Sequence, residues 1–134
     1  MNKNRILFLC VENSARSKMA EAYGNHIGLT CKSAGTLPGT SINPLAIEVM
    51  EELGIHINLT LPKKMDAEML QWADMVIIMG CSAEDSCPAP LVAGLKKKMV
   101  DWELEDPKGK SLEEVRSIRD QIIKKVGELS SELS

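Results

Sequence analysis

The sequence predicts an α/β domain built on a four-stranded parallel sheet with helices on both faces. Three observations predict it. Two short, almost continuously apolar runs, Ile6-Leu7-Phe8-Leu9 and Met75-Val76-Ile77-Ile78-Met79, have the length and composition of buried strands. Segments of helical periodicity with recognisable start and stop residues separate the strand-like runs, and that alternation builds a parallel sheet with right-handed crossovers. The 134 residues are enough for one sizeable core, which suggests a single domain over 1–134.

Residues 5–9 form the first strand. A helix follows over about 16–27, with Met19, Ala20, Tyr23 and Ile27 on one face and Gly28 suited to its C-terminal cap. Residues 30–34 form the second strand, and Gly35-Thr36-Leu37-Pro38-Gly39 punctuates the chain near the mouth of the loop after the first. Asn43-Pro44 pairs a capping side chain with proline at the first helical position. Leu45, Val49, Met50 and Leu53 then make a buried stripe that Gly54 ends. Residues 55–64 are irregular around Pro62, and Asp66 caps a short helix to about Trp72. Asp74 introduces the Met75-to-Met79 strand, and residues 98–102 form a fourth whose charged start marks a sheet edge. Ser111-Leu112-Glu113-Glu114 is a capping box. From there Leu112, Val115, Ile118, Ile122 and Val126 carry a helical stripe to about Leu129.

Composition excludes several classes of function. Sixteen basic and 19 acidic residues give a net charge of −3, with no basic stripe for nucleic acid and no polybasic segment for a membrane surface. No apolar stretch is long enough to span a bilayer. The start MNKNRILFLC lacks the long apolar core and cleavage site of a signal peptide, so a reducing cytoplasm is the expected location. The four cysteines are then reactive or buried thiols and not a disulfide framework. Aromatic residues make up 3% of the chain, so the core is aliphatic and methionine-rich, with Met65, Met69 and Met75 as filler.

The chemistry concentrates in Cys10-Val11-Glu12-Asn13-Ser14-Ala15-Arg16-Ser17. A loop between a strand and a helix start points backbone N–H groups inward and cradles an anion, here over residues Val11 to Arg16. Arg16 adds a planar fork of donors that fits two oxygens of a tetrahedral oxyanion. Such a positive cradle favours the thiolate form of a cysteine, which is the nucleophile. Cys-x5-Arg-Ser after one N-terminal strand resembles the phosphate loop of the protein tyrosine phosphatase superfamily, in particular its low-molecular-weight branch. That resemblance implies a strand order 2-1-3-4 and a general acid from an Asp-Pro dipeptide in a late loop. Asp106-Pro107 fits, with Glu105 and Asp101 as the other candidate acids.

Two further cysteines, Cys81 and Cys87, follow the Met75-to-Met79 strand with five residues between them. A flexible loop could bring them together, or bring Cys81 to Cys10. A phosphatase needs no such pair, whereas a reductase needs a thiol to attack a covalent cysteine adduct and another to relay the disulfide. With the Cys10 loop, the Ser33-Ala34-Gly35 turn, Asn43-Pro44, the Cys81/Cys87 pair and Trp102…Asp106-Pro107, the chain resembles the thioredoxin-coupled arsenate reductases.

That resemblance implies the following roles. Arsenate is held by the loop N–H groups and Arg16, and Ser17 hydrogen-bonds the Cys10 sulfur. Cys10 attacks arsenic while Asp106 protonates the departing oxygen. Cys81 then forms a disulfide with Cys10 and releases arsenite, Cys87 takes over the disulfide from Cys10, and Gly80 and Ser82 suit the loop rearrangement. Thioredoxin or a similar external dithiol resets the enzyme, which has no tightly bound cofactor. The chain departs from this family in three ways. Its cysteine pair is one residue closer than usual, and Glu12 puts a negative charge beside the anion site where many relatives have glycine. Some relatives bind potassium through residues matching Asn13, Glu21 and Ser33, but Lys63 stands where their last ligand is an aspartate, so no metal site is expected.

The remaining candidates read as structural. Cys31 is a core residue on a strand, zinc lacks four ligands at short spacing, and His26 and His56 are surface or capping groups. Lys96-Lys97-Lys98 is a solvated face. The alternative to a reductase is a phosphatase acting on phosphotyrosine or small phosphate esters through a Cys10 phosphoenzyme. One Tyr and one Phe leave only Trp72 or Trp102 to grip an aromatic ring. A non-catalytic oxyanion-binding or redox-sensing domain would need an unreactive Cys10.

Overall fold

The computed structural model describes residues 4–57, 61–80 and 98–133. Among them the chain runs β1 (Arg5–Cys10), α1 (Arg16–His26), β2 (Thr30–Gly35), α2 (Pro44–Glu51), α3 (Ala67–Trp72), β3 (Met75–Ile78), β4 (Lys98–Asp101) and α4 (Leu112–Leu133). The strands pair in parallel in the order β2-β1-β3-β4. Interior β1 is buried throughout residues 6–9, which is why its sequence is a continuous apolar run. None of these helices is long and apolar enough to cross a membrane.

Side chains alternate across the sheet with the strand period of two. Ile6, Phe8, Met75 and Ile77 face one layer, where Met19 and Ala20 of α1, Val49 and Met50 of α2, and Val115, Ile118 and Ile122 of α4 cover them. Leu7, Leu9, Val76 and Ile78 face the other layer against Met65, Met69, Leu70 and Trp72, so the methionines are core filler. The register aligns Cys10 with Gly35, and Ile78 with Asp101. The loops after all four strands therefore leave from one edge, the side where open parallel sheets bind ligands.

Local chemistry sets the helix starts. Asn43 accepts from the Leu45 N–H at 2.9 Å with Pro44 as the first helical residue, and Asp66 accepts from the Met69 N–H at 2.8 Å. Glu114 N–H donates to Ser111 Oγ at 3.2 Å while Ser111 N–H donates to Glu114 Oε1 at 3.0 Å, which completes the capping box. Gly28 follows α1 with φ of 98°, a conformation that glycine adopts without Cβ strain.

Four details differ from the sequence reading. Leu53 is 46% exposed because α2 ends at Glu51 and the next turn rotates it off the stripe, while Ala46 is buried in its place. Tyr23 and Ile27 are only half-buried at the edge of the core. Gly35, read as the first residue of a loop, instead ends β2 as strand, paired with Cys10 and bridged to Lys64. A Cβ at Gly35 would overlap the Val11 carbonyl oxygen, so glycine lets β2 pass directly beneath the Cys10 loop. The last helix runs on to Leu133, with Leu129 and Leu133 packed on the core.

Replacing Asn43 by Ala removes the α2 cap and should cost about 1 kcal/mol, lowering the melting temperature by about 3–5 °C. An unchanged melting curve would show that this cap carries no weight.

Candidate active site

β1 delivers Cys10, 2% exposed, to the edge of the sheet, and α1 begins six residues later at Arg16. Between them Asn13 adopts the left-handed conformation, φ 53°, which asparagine tolerates better than most residues. The turn brings the Asn13 N–H to 3.1 Å from Cys10 Sγ. Ala15, at the N-cap of α1, has no side chain to cap the helix, so the positive end of α1 is left to an anion.

Asn13 is fully buried and organises the loop from inside. Its Oδ1 accepts from the Lys63 N–H at 2.8 Å, which orients the amide. Its Nδ2 donates to Ser33 Oγ at 3.0 Å and to Ser17 Oγ at 2.7 Å. Ser33 Oγ in turn donates to Glu21 Oε1 at 2.6 Å. Ser17 Oγ lies 2.9 Å from Cys10 Sγ. Ser17 Oγ also accepts from Asn13, which leaves its own proton available to the sulfur. Ser17 Oγ and the Asn13 N–H are thus the two hydrogen-bonding partners of Cys10 Sγ.

Arg16 is 3% exposed and is held from the far side of the sheet. Its Nη1 donates to the Met79 carbonyl at 3.2 Å and to the Leu104 carbonyl at 2.9 Å. Gly80, φ 119°, is part of this arrangement: a Cβ there would stand 2.7 Å from Arg16 Nη1 and overlap the Leu104 carbonyl. The sequence suggested loop flexibility at Gly80; the structure gives it a close-packing role. Asp106 Oδ2 lies 4.0 Å from Arg16 Nη2, and Asp106 Oδ1 accepts from the Lys108 N–H at 3.0 Å. Among the described residues Asp106 is the carboxylate paired with Arg16. Asp101 instead accepts from the Glu103 N–H, and Glu105 pairs with Lys110.

Two residues acquire roles that their sequence context hid. Lys18 is 2% exposed, and burial lowers its pKa below the usual lysine value, with the Glu21 carboxylate opposing the shift and Lys63 adding to it. Lys18, which the sequence reading did not single out, thus bears on the Glu21 carboxylate. Glu12 does not stand as an uncompensated charge, since Lys108 Nζ approaches its Oε2 at 3.5 Å. The Lys18–Glu21 spacing on one helix was a local signal, whereas nothing near Glu12 in the sequence pointed to Lys108. Val11 and Ala15 are buried, and Ser14 joins the loop to α2 by accepting from the Asn43 N–H at 2.8 Å.

Cys31 is buried on β2, and burial, with Glu21 adding, pushes its thiol up to about 12. It is protonated and inert at neutral pH. Cys81, Cys87 and Ser82, together with Lys96 and Lys97, lie outside the described residues. His26 stacks on Tyr23, and exposed His56 pairs with Glu51, both away from Cys10. Trp72 precedes β3 and so lies at the opposite end of the sheet from Cys10, with Lys32 over its ring. The Trp102 ring packs on Phe8 at 5.9 Å and is covered by Lys125.

A buried cysteine under an arginine-backed strand–loop–helix cradle defines the class of enzymes that attack tetrahedral oxyanions through a thiolate. The chain belongs within that class to the family of low molecular weight phosphotyrosine protein phosphatases, which it matches over residues 5–134. It is 36% identical to arsenate reductase 1 of Staphylococcus haemolyticus, with 99% of each chain covered. Its fold is similar to that of an arsenate reductase solved in a phosphate-binding state, with a TM-score of 0.84, 32% identity, and 98% of this chain and 99% of that one covered. It is also similar to the arginine phosphatase YwlE of Geobacillus stearothermophilus, with a TM-score of 0.83, 26% identity, and 97% and 92% covered.

In a Cys81→Ser/Cys87→Ser background, iodoacetamide at pH 6.5 should label Cys10 and leave Cys31 unmodified until the chain is unfolded. Ser17→Ala should slow Cys10 labelling about tenfold through loss of a charge-assisted hydrogen bond. Peptide mapping reads both results, and equal labelling of Cys10 and Cys31 in the folded protein would contradict this geometry.

Proposed function

We propose that this protein reduces arsenate to arsenite through a covalent Cys10 adduct. The observation that supports the reading is the Arg16–Asp106 ion pair beside a Cys10 loop, in a chain similar over nearly its whole length to an arsenate reductase. Arsenate enters the loop of residues Val11 to Arg16, held by backbone N–H groups and the Arg16 guanidinium. The Cys10 thiolate, supported by Ser17 and Asn13, attacks arsenic and forms a sulfur–arsenic bond. Asp106 gives its proton to the departing oxygen, which leaves as water.

The Cys81 thiolate then attacks Cys10 sulfur. The sulfur–arsenic bond breaks, its electron pair stays on arsenic, and arsenic goes from As(V) to As(III) as two thiols become a Cys10–Cys81 disulfide. Cys87 attacks Cys81 and frees Cys10, leaving a Cys81–Cys87 disulfide. An external dithiol, thioredoxin or a protein like it, supplies the two electrons that reset the enzyme, so no tightly bound cofactor is needed. A reducing cytoplasm suits this cycle.

A phosphatase of the same fold is the second reading, favoured by the family itself, because Cys10, Arg16 and Asp106 are equally suited to a phosphoenzyme. Neither tryptophan ring is free beside the loop to grip a phosphotyrosine, since Trp102 packs on Phe8 and Trp72 lies at the far end of the sheet. That favours a small oxyanion as the substrate.

Arsenate-dependent NADPH oxidation, coupled through thioredoxin and thioredoxin reductase, should be abolished by Cys81→Ser and by Cys87→Ser. Hydrolysis of p-nitrophenyl phosphate should survive in both. Asp106→Asn should slow ester hydrolysis by about 10²–10³-fold. Brisk ester hydrolysis without arsenate turnover under several dithiol donors would rule out the reductase and leave the phosphatase.

A further inference from the structure

The Cys10 loop carries an ion pair with a distant loop, Glu12 with Lys108. The Gly39 N–H donates to the Glu12 carbonyl at 3.0 Å, and a Cβ at Gly39 would lie 3.2 Å from Glu12 Oε1. The Glu12 side chain therefore lies against the loop that follows β2. Its Oε2 is 3.5 Å from Lys108 Nζ, in the loop that follows β4. β2 and β4 are the two edges of the sheet, three strand spacings or about 14 Å apart. Cys10 and the Met79 carbonyl that holds Arg16 belong to the carboxyl ends of the two strands between them. Lys108 also donates its N–H to Asp106, so one end of the pair is anchored on the residue facing Arg16.

We propose that the Glu12–Lys108 pair is a specificity bar across the anion site, admitting compact inorganic oxyanions and disfavouring phosphate esters or phosphonates that carry an organic group. Two features of the pair support this. Its charges compensate each other, so it adds little net repulsion toward a dianion. Its side chains join the Cys10 loop, where Glu12 lies against the loop after β2, to the loop after β4, so a ligand with a substituent on the tetrahedral atom must displace them while a bare oxyanion need not. The pair is half-open to solvent, with Glu12 35% and Lys108 76% exposed, so its restraint is modest, roughly three- to fivefold in relative affinity. This deepens the small-oxyanion reading above and rests on it for biological meaning, but the site property itself is testable without arsenate turnover.

Dissociation constants for inorganic phosphate and for phenylphosphonate are measured by protection of Cys10 against iodoacetamide, at constant ionic strength, with the full chain. In the unmodified protein phosphate should bind more tightly than phenylphosphonate. The ratio of the two constants should move roughly three- to fivefold toward phenylphosphonate in both Glu12→Ala and Lys108→Ala. It should return toward its original value in the charge-swapped protein Glu12→Lys/Lys108→Glu. A purely electrostatic role would shift both ligands together and leave the ratio unchanged, and that result overturns the proposal. A ratio that moves in the Glu12 variant alone, or that the swap does not restore, also overturns it. Circular dichroism confirms that each variant is folded. Because neither ligand requires reduction, a chain that fails to turn over arsenate but shows these ratios refutes the reductase reading and not the bar.

Discussion

The site depends on the buried side chain of Asn13. Its left-handed backbone turns the loop so that its N–H reaches Cys10 Sγ, and its carboxamide ties that loop to Ser17 of α1, Ser33 of β2 and the Lys63 backbone. A buried amide is favourable only when its donors and acceptor are met, and here both Nδ2 protons and Oδ1 have partners. The Lys63 N–H orients the amide, so that its Nδ2 donates to both Ser17 and Ser33, and Ser33 passes its own proton to Glu21. A chain of hydrogen bonds thus links the Glu21 carboxylate behind the loop to the serine beside Cys10.

Arg16 is the complementary constraint. A guanidinium buried at 3% exposure must be solvated by the protein, and carbonyls from residues 79 and 104 do this from the opposite half of the sheet. By accepting from Arg16 Nη1 they tie α1 to the loops after β3 and β4. Gly80 is the residue without a Cβ that lets Leu104 and Arg16 approach there, much as Gly35 lets β2 pass beneath the Cys10 loop. Both glycines sit at the rim of the site, where backbone approaches backbone.

The fold was legible because its signals are local. Unbroken apolar runs marked β1 and β3, and the Asn43-Pro44, Asp66 and Ser111…Glu114 caps marked helix starts with side-chain chemistry that acts over two or three residues. The misreadings were local as well: Leu53 fitted a helical stripe but lay beyond the end of its helix, and Gly35 read as the start of a loop although pairing with Cys10 extends β2 through it. Within the site, Cys10, Arg16 and Ser17 stood out through their spacing. Asp106 stood out through Asp-Pro, but choosing it over Asp101 and Glu105 took the geometry around Arg16.

The sequence by itself determined the alternation of strands and helices, the cysteine loop and the candidate chemistry, because periodicity, capping and motif spacing are encoded by near neighbours. The tertiary structure alone decided which distant groups meet. It joined Asn13 to Ser33 and Lys63, Arg16 to Leu104, and Glu12 to Lys108, pairs separated by some 20 to 96 positions. It also buried Lys18 beside Glu21 and kept both tryptophans away from the mouth. Such contacts follow from strand order and from the shared edge on which four parallel strands end, and no local pattern of residues carries that information.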